Sequence, residues 1–152
     1  MSVLSIFDSS SGFLLPTIRT ISLLLGVGMV SSGITSALNP IPYSGKFGFP
    51  IRDPLHRKAT IESQGRLEKS GSGWVAVFAG RELTIGSTLL VLNYLGEVKA
   101  LSILVSSLYF TAAGDVFGNI WYGLPGSYKP HFYMTIFALW AGPVGLLIGS
   151  KA

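Results

Sequence analysis

Long segments almost free of charge dominate this chain and restrict what it can fold into. Four of them, at 18–38, 73–95, 100–122 and 132–150, each have about the 20 residues that a helix needs to cross the hydrocarbon of a bilayer. Only 12% of the 152 residues are charged and the mean hydropathy is +0.54, whereas about a quarter of a soluble domain is charged. The sequence therefore predicts an all-α integral membrane protein, with one transmembrane four-helix bundle over 1–152.

Composition excludes several classes of function. The chain has no cysteine, which excludes disulfides, thiol nucleophiles and cysteine-bound metals, and it has only two histidines. The net charge of +4 is not gathered in a basic helix or an arginine stripe, so no nucleic-acid partner is expected. We predict a protein without metal or cofactor, whose partners are the lipid bilayer and a lipophilic small molecule.

Half of the charged side chains lie between the first two predicted spans. The stretch 39–72 holds nine of the eighteen charged residues, and we predict one long hydrophilic loop with the apolar segment Phe47–Ile51 as a candidate lid. Seven lysines and arginines lie in this loop and in the turn between spans three and four, against three at the termini and in the other turn. The positive-inside rule then places the long loop in the cytosol, with the endoplasmic reticulum as the default membrane.

Three charged residues lie deep inside the predicted spans. Arg81 and Glu82 belong to span two, and Asp115 belongs to span three. Charged side chains are costly at such depth unless they are paired or hydrated, so each is a candidate site residue. Span two enters from the long-loop side and span three leaves on that side, which puts all three at one level, roughly 10–14 Å deep. We therefore expect Arg81 to lie between the two carboxylates.

More polar residues fall in the same half of the predicted bundle. Four residues of span three share one helical stripe, at intervals of four, four and three: Thr111, Asp115, Asn119 and Tyr122. Span one ends on this side with Ser32 and Thr35, and span four begins there with His131. These side chains predict a polar cavity in which the hydroxyl and amide groups bind a substrate and His131 joins the charged residues in catalysis.

Small residues at intervals of four indicate where helices approach closely. Gly114 and Gly118 form one such pair, and Gly145 and Gly149 form another. Pairs of this kind allow two helix backbones to come into contact in lipid. We therefore expect both pairs to lie at helix–helix contacts.

Several of these motifs resemble those of a known family. They are the string Ala79–Gly86 in span two, Gly114-Asp115 in span three and the histidine that opens span four. The glycine-rich segment Leu25–Gly33 and the following Asn39-Pro40 are similar too. Together they resemble the small four-span membrane proteins described as domain of unknown function 4267.

The resemblance implies which residues act, although the family name carries no established activity. The implied functional residues are Arg81, Glu82, Asp115 and His131. The family often has aspartate at the position of Glu82. The longer glutamate side chain alters how far the acid at this position reaches. Members occur in bacteria and in fungi, where they resemble small proteins encoded beside biosynthetic enzymes of secondary metabolism.

The residue types also suggest a mechanism. An arginine that bridges two carboxylates, beside an amide and a phenol, resembles the constellation of limonene-type epoxide hydrolases, whose fold is soluble and unrelated. We assign Asp115 as general acid and Glu82 as base, oriented by Arg81, with the reverse assignment open. Asn119 and Tyr122 would then position the reacting oxygen. The expected reaction is cofactor-free epoxide opening or hydrolysis, cyclisation or isomerisation of a polyketide or terpenoid.

Two alternatives belong to other classes of function. In a non-catalytic membrane scaffold or subunit, the charged residues would form a structural salt bridge that sets helix register. In a small proton-coupled carrier, the buried acids would move protons, but four spans make a narrow pathway unless the protein forms a homo-oligomer. Loss of stability without loss of a product would favour the scaffold, and flux in proteoliposomes would favour the carrier.

Overall fold

The described part of the chain is entirely helical. The computed structural model describes residues 3–46 and 61–149, and these ranges contain no strand. Their five helices are α1 (Val3–Leu38), α2 (Pro40–Lys46), α3 (Ile61–Leu95), α4 (Val98–Tyr122) and α5 (Lys129–Gly149). Four of them contain segments long and apolar enough to cross a membrane: Gly12–Leu38, Gly73–Leu95, Val98–Tyr122 and Lys129–Gly149. The predicted all-α bundle with four spans is confirmed.

The predicted long loop over 39–72 is wrong. The helix α2 follows α1 after one residue, and α3 begins at Ile61 rather than at 73. Pro40 and Pro42 lie in the first turn of α2, where a missing backbone N–H costs no helical hydrogen bond. The start of α3 is rich in glutamate, glutamine, arginine and lysine, which have high helix propensity in water, so the helix extends beyond its apolar segment. The candidate lid at 47–51 lies outside the described residues.

Close glycine contacts join the helices in two pairs. In the first pair, α1 packs along α3. A β-carbon added at Gly33 would lie 3.0 Å from the Ala79 carbonyl oxygen, and a β-carbon added at Gly86 would lie 2.9 Å from the Gly26 carbonyl oxygen. In the second pair α4 packs along α5. Contacts between the two pairs are much sparser, which leaves room for a cavity between them.

A buried apolar core closes the half of the bundle that contains the α3–α4 turn, which we call the far half. Its members come from α3, α4 and α5: Leu89, Leu101, Val105, Leu108, Ala138 and Ala141. Ile18 of α1 is 1% exposed and joins α1 to α5 in this half, because a β-carbon at Gly145 would lie 3.7 Å from its Cδ1. The opposite half, which contains α2, is the cavity half.

A polar link that the sequence does not predict joins α1 to α3 in the far half. Arg19 Nη2 donates a hydrogen bond of 2.8 Å to the Asn93 carbonyl oxygen, and Nε donates one of 3.4 Å to Asn93 Oδ1. Asn93 Nδ2 in turn donates to the Arg19 carbonyl oxygen. Arg19 thus lies within α1, seven residues after the start of the apolar segment Gly12–Leu38, where these bonds satisfy part of its donor capacity.

The two predicted small-residue pairs have different outcomes. In α5, β-carbons added at Gly145 and Gly149 would lie 3.1 Å from Ser102 Cβ and 3.2 Å from Val98 Cγ1, so this pair is confirmed at the contact with α4. Gly114 is exposed, and an added β-carbon would meet nothing within 4 Å, so its expected helix contact is wrong. The spacing alone does not tell which face of a helix meets a neighbour.

Replacing Gly142 by alanine is expected to lower the free energy of unfolding by about 1–3 kcal/mol, the usual cost of overpacking. The new β-carbon would lie 2.8 Å from the Cα and N atoms of Ser106, so the α4 and α5 backbones must separate. Thermal unfolding in detergent measures the change. Gly114→Ala is the matched control and should be neutral or slightly stabilising, since its β-carbon meets open space. Equal losses in both variants would contradict this packing.

Candidate functional site

Arg81 links α3 to α4 through both oxygens of one carboxylate. Its Nη2 lies 3.1 Å from Asp115 Oδ2, and its Nη1 lies 3.4 Å from Asp115 Oδ1. The same Nη2 lies 3.4 Å from Glu82 Oε1. A single guanidinium therefore contacts two carboxylates, and the paired geometry with Asp115 is the directional arrangement that arginine favours.

His131 brings α5 into the same cluster. Its Nδ1 lies 3.4 Å from Asp115 Oδ2, the oxygen that Arg81 Nη2 also contacts. The His131 carbonyl oxygen accepts a hydrogen bond of 2.8 Å from Thr135 Oγ1, one turn further along α5. We call Arg81, Glu82, Asp115 and His131 the charged niche, and it is assembled from three helices.

The charged niche is mostly withdrawn from its surroundings. The exposed fractions of the four side chains are 29% for Arg81, 12% for Glu82, 18% for Asp115 and 20% for His131. The Phe78 ring lies 4.7 Å from Arg81 Cζ, within the range of a cation–π contact. Low exposure and apolar neighbours strengthen electrostatic interactions inside the niche.

A cavity of about 330 Å³ lies between the two helix pairs, with the charged niche at one side. Most of its wall is apolar and comes from α1, α4 and α5: Leu24, Leu25, Met29, Leu108, Ala112 and Met134. Beside the niche, the polar side chains on the wall are Ser32 and Thr111. Such a space, apolar with a few converging polar groups, is typical of small-molecule sites.

Of the five predicted substrate-binding residues, Ser32 and Thr111 line the cavity. Tyr122 does not, because it is the last residue of α4 and is 82% exposed. Tyr122 lies eleven residues beyond Thr111, roughly 16 Å along the helix, so the polar stripe on α4 extends past the end of the cavity. Thr35 is exposed and donates a hydrogen bond of 2.8 Å to the Ser31 carbonyl oxygen of its own helix.

Asn119 is buried beside the niche but does not line the cavity. Its side chain is only 4% exposed, and its Nδ2 donates a hydrogen bond of 2.9 Å to the Asp115 carbonyl oxygen. Its carbonyl oxygen accepts from Gly123 N at 3.1 Å, where α4 ends. Asn119 thus supports the end of α4 below Asp115 rather than facing the cavity.

Sequence reasoning missed a second layer on the α1 side. Ser32 Oγ lies 2.7 Å from Tyr43 Oη, so α2 folds back and places a phenol against the cavity wall. It also missed Met29 and Met134, which line the cavity from α1 and α5. The sequence does not distinguish cavity-lining apolar residues from the other apolar residues of a span. They are identified only once the pairing of the helices is known.

One donor in the niche has no partner. Arg81 Nε is buried and makes no hydrogen bond within the described part of the chain, although Nη1 and Nη2 do. Among the side chains that the structure describes, at 12–45, 71 and 73–149, no group of three or more acidic or histidine residues is arranged to hold a metal ion. The chemistry available from these residues is proton transfer, charge stabilisation and hydrogen bonding.

The fold and the niche together define a class: a multi-pass membrane protein with four helices around an apolar cavity and a charged niche. Residues 26–148 match the model of the family described as Domain of unknown function (DUF4267), and the chain belongs to this family. The matched range includes the whole charged niche. No curated protein and no solved structure matches the chain.

Proposed function

We propose that the protein is a membrane-embedded, cofactor-free acid–base enzyme that acts on a lipophilic secondary metabolite. The observation that carries this proposal is the contact of one guanidinium with two carboxylates at the side of an apolar cavity inside the spans. A simple ionic link between helices needs one acid. The second acid supplies the proton donor or acceptor that a two-carboxylate mechanism requires.

The contacts favour one assignment of acid and base. Asp115 faces two arginine nitrogens and His131 Nδ1, whereas the one hydrogen-bond donor that faces Glu82 among the described residues is Arg81 Nη2. Donors stabilise a carboxylate as an anion, so Asp115 is the group that stays ionised and can act as the base, and Glu82 is the group that can hold a proton and act as the acid. This reverses the assignment made from the sequence, in which the alternative was left open.

The reaction follows from that assignment. In the hydrolysis of an epoxide, Asp115 takes a proton from water while the oxygen of that water attacks an epoxide carbon. The carbon–oxygen bond breaks, and Glu82 gives its proton to the released oxygen, so that a diol forms. Transfer of the proton from Asp115 back to Glu82, with Arg81 between them, restores the starting state. Cyclisation and isomerisation use the same two proton transfers with a substrate hydroxyl or C–H group in place of water.

The proposed activity is tested with purified protein in lipid nanodiscs, incubated with a panel of lipophilic epoxides and polyenes in water enriched in ¹⁸O. Hydrolysis gives a product that carries one ¹⁸O atom, whereas cyclisation or isomerisation gives a product of unchanged mass and shifted retention time. Mass spectrometry distinguishes the two outcomes. Absence of product above the protein-free control with every substrate would contradict the proposal.

One observation favours a second candidate, a non-catalytic scaffold. The Arg81–Asp115 ion pair joins α3 to α4, which otherwise share few contacts along their length. A link at that position holds the two helix pairs together, whether or not it performs chemistry. The Arg81 variants described in the Discussion separate the two functions.

We also propose that the protein lies in the endoplasmic reticulum with the segment between α2 and α3 in the cytosol. The cysteine-free chain allows a direct test. An impermeant maleimide added to sealed microsomes should label Leu124→Cys, in the α4–α5 turn on that same side. It should label Glu97→Cys, in the α3–α4 turn, only after detergent is added. The opposite pattern would reverse the orientation.

A further inference from the structure

We infer that the cavity opens sideways into the bilayer between α1 and α5, and that it admits a neutral lipophile whose oxygen-bearing end reaches Arg81. This inference names the route and the substrate class for the proposed function and therefore rests on it. The first observation that supports it is that exposed residues of the cavity wall lie on α1 and α5. Leu24 is 65% exposed, and Gly28 and Pro130 are exposed as well, all on α1 or α5. The wall residues of α4 include the buried Leu108 and Ala112, which form the floor.

The second support is the way α1 and α5 separate. The two helices touch in the far half, where Ile18 lies against Gly145. They run in opposite directions, so Met29 and Met134, each eleven residues from that contact, lie at one level roughly 16 Å away. Both methionines line the cavity there. The helices therefore meet at one end and part at the other, with flexible methionine side chains on either side of the gap.

The third support is the balance of charge in the niche. With Glu82 holding the proton that the proposed reaction needs, the charges of Arg81 and Asp115 balance, so an anionic head group would meet the Asp115 carboxylate and no spare cation. A cationic head group would lie against Arg81 instead. A neutral hydroxyl, carbonyl or epoxide oxygen is repelled by neither kind of neighbour, and it can accept a hydrogen bond from Arg81, which lines the cavity. The volume of about 330 Å³ lies at the lower end of the roughly 300–1,000 Å³ of small-molecule cavities.

A plug in this opening provides the test. A β-carbon added at Gly28 meets nothing within 4 Å, so Gly28→Phe puts a ring into the mouth of the cavity without a backbone clash. Gly80→Phe is the matched control, because Gly80 is also an exposed glycine with no atom within 4 Å but does not line the cavity. Both variants add the same side chain to a spanning helix.

The probe is a fatty alcohol that carries a diazirine, used on full-length protein in nanodiscs of phosphatidylcholine. Light should attach it to peptides that contain Met29 and Met134, and excess unlabelled fatty alcohol should compete. Gly28→Phe should lower this labelling at least tenfold, whereas Gly80→Phe should label like the wild type. Equal labelling of Gly28→Phe, or labelling that does not compete, would overturn the lateral opening. Stronger labelling by the matching fatty acid or alkyl ammonium probe would overturn the neutral head group.

A second variant keeps the test decisive if Gly28→Phe fails to fold. In Met29→Cys/Met134→Cys the introduced thiols are the only ones in the chain, so a cleavable bis-maleimide joins α1 to α5 across the mouth. Cross-linking should abolish labelling, and cleavage of the linker should restore it. Labelling that persists after complete cross-linking would overturn the route. Labelling requires no turnover, so a protein that labels as expected but forms no product would refute the enzyme and leave the opening intact.

Discussion

Asp115→Asn is expected to lower turnover of a lipophilic epoxide or polyene by a factor of about 10²–10⁴, the usual contribution of a positioned acid or base. The amide keeps the shape of the side chain and can still accept from Arg81, but it cannot take a proton from water. Glu82, 3.4 Å from Arg81, can release its proton and become the counter-charge in this variant, so no uncompensated charge remains in the bundle. The loss should therefore fall on kcat, with little change in KM or in thermal unfolding.

Two further variants make this result specific. Glu82→Gln should cause a loss of the same order, because it removes the other member of the acid–base pair. Glu97→Gln should leave turnover unchanged, since Glu97 is exposed at the start of α4, away from the cavity. Steady-state kinetics in nanodiscs, with unfolding temperatures for each variant, provide the measurement. Wild-type turnover by Asp115→Asn would show that this carboxylate does no proton transfer.

The spans were predictable from the sequence because lipid leaves a chain few choices. Backbone groups in hydrocarbon must bond within the segment, so an apolar stretch of sufficient length forms a helix. The prediction of 73–95 agrees with the apolar segment Gly73–Leu95. The parts of the helices outside the lipid were missed, as at the start of α3, because hydropathy detects the membrane boundary and not the end of a helix.

The meeting of Arg81, Glu82 and Asp115 was also predictable, because charges at equal depth in neighbouring spans can be partnered only by one another. Tyr122 and Thr35 failed as cavity residues for a different reason. A helical stripe fixes the angle of a side chain around its axis but not the length of the cavity beside it. Tyr122 lies past the end of that cavity.

The helix pairing, by contrast, could not be read from the spans. Four apolar helices can be arranged in several ways, and small differences in close packing decide between them, since lipid competes for every apolar surface. The contacts of Gly33 with Ala79 and of Gly142 with Ser106 select the pairs α1–α3 and α4–α5. The cavity between the pairs, and hence the role of Met29 and Met134 in its wall, follows from that selection.

Arg81→Leu is expected to lower the free energy of unfolding by about 3 kcal/mol. This value is near the low end for a broken buried ion pair, because the Arg81 side chain is 29% exposed. The loss arises because the Asp115 carboxylate then lies in an apolar site without its cation and beside a second acid. The triple variant Arg81→Leu/Glu82→Gln/Asp115→Leu should recover most of that stability, because these three positions then leave no unpaired charge in the apolar site. Thermal unfolding in detergent measures both changes.

The same triple variant separates the scaffold from the enzyme. A scaffold needs only a stable link between α3 and α4, so a restabilised triple variant would retain whatever assembly the wild type supports. An enzyme needs the ionisable groups themselves, so the triple variant should be folded and should form no product. Product formation by a stable triple variant would show that Arg81, Glu82 and Asp115 have a structural role only, since none of the three would then be required for the reaction.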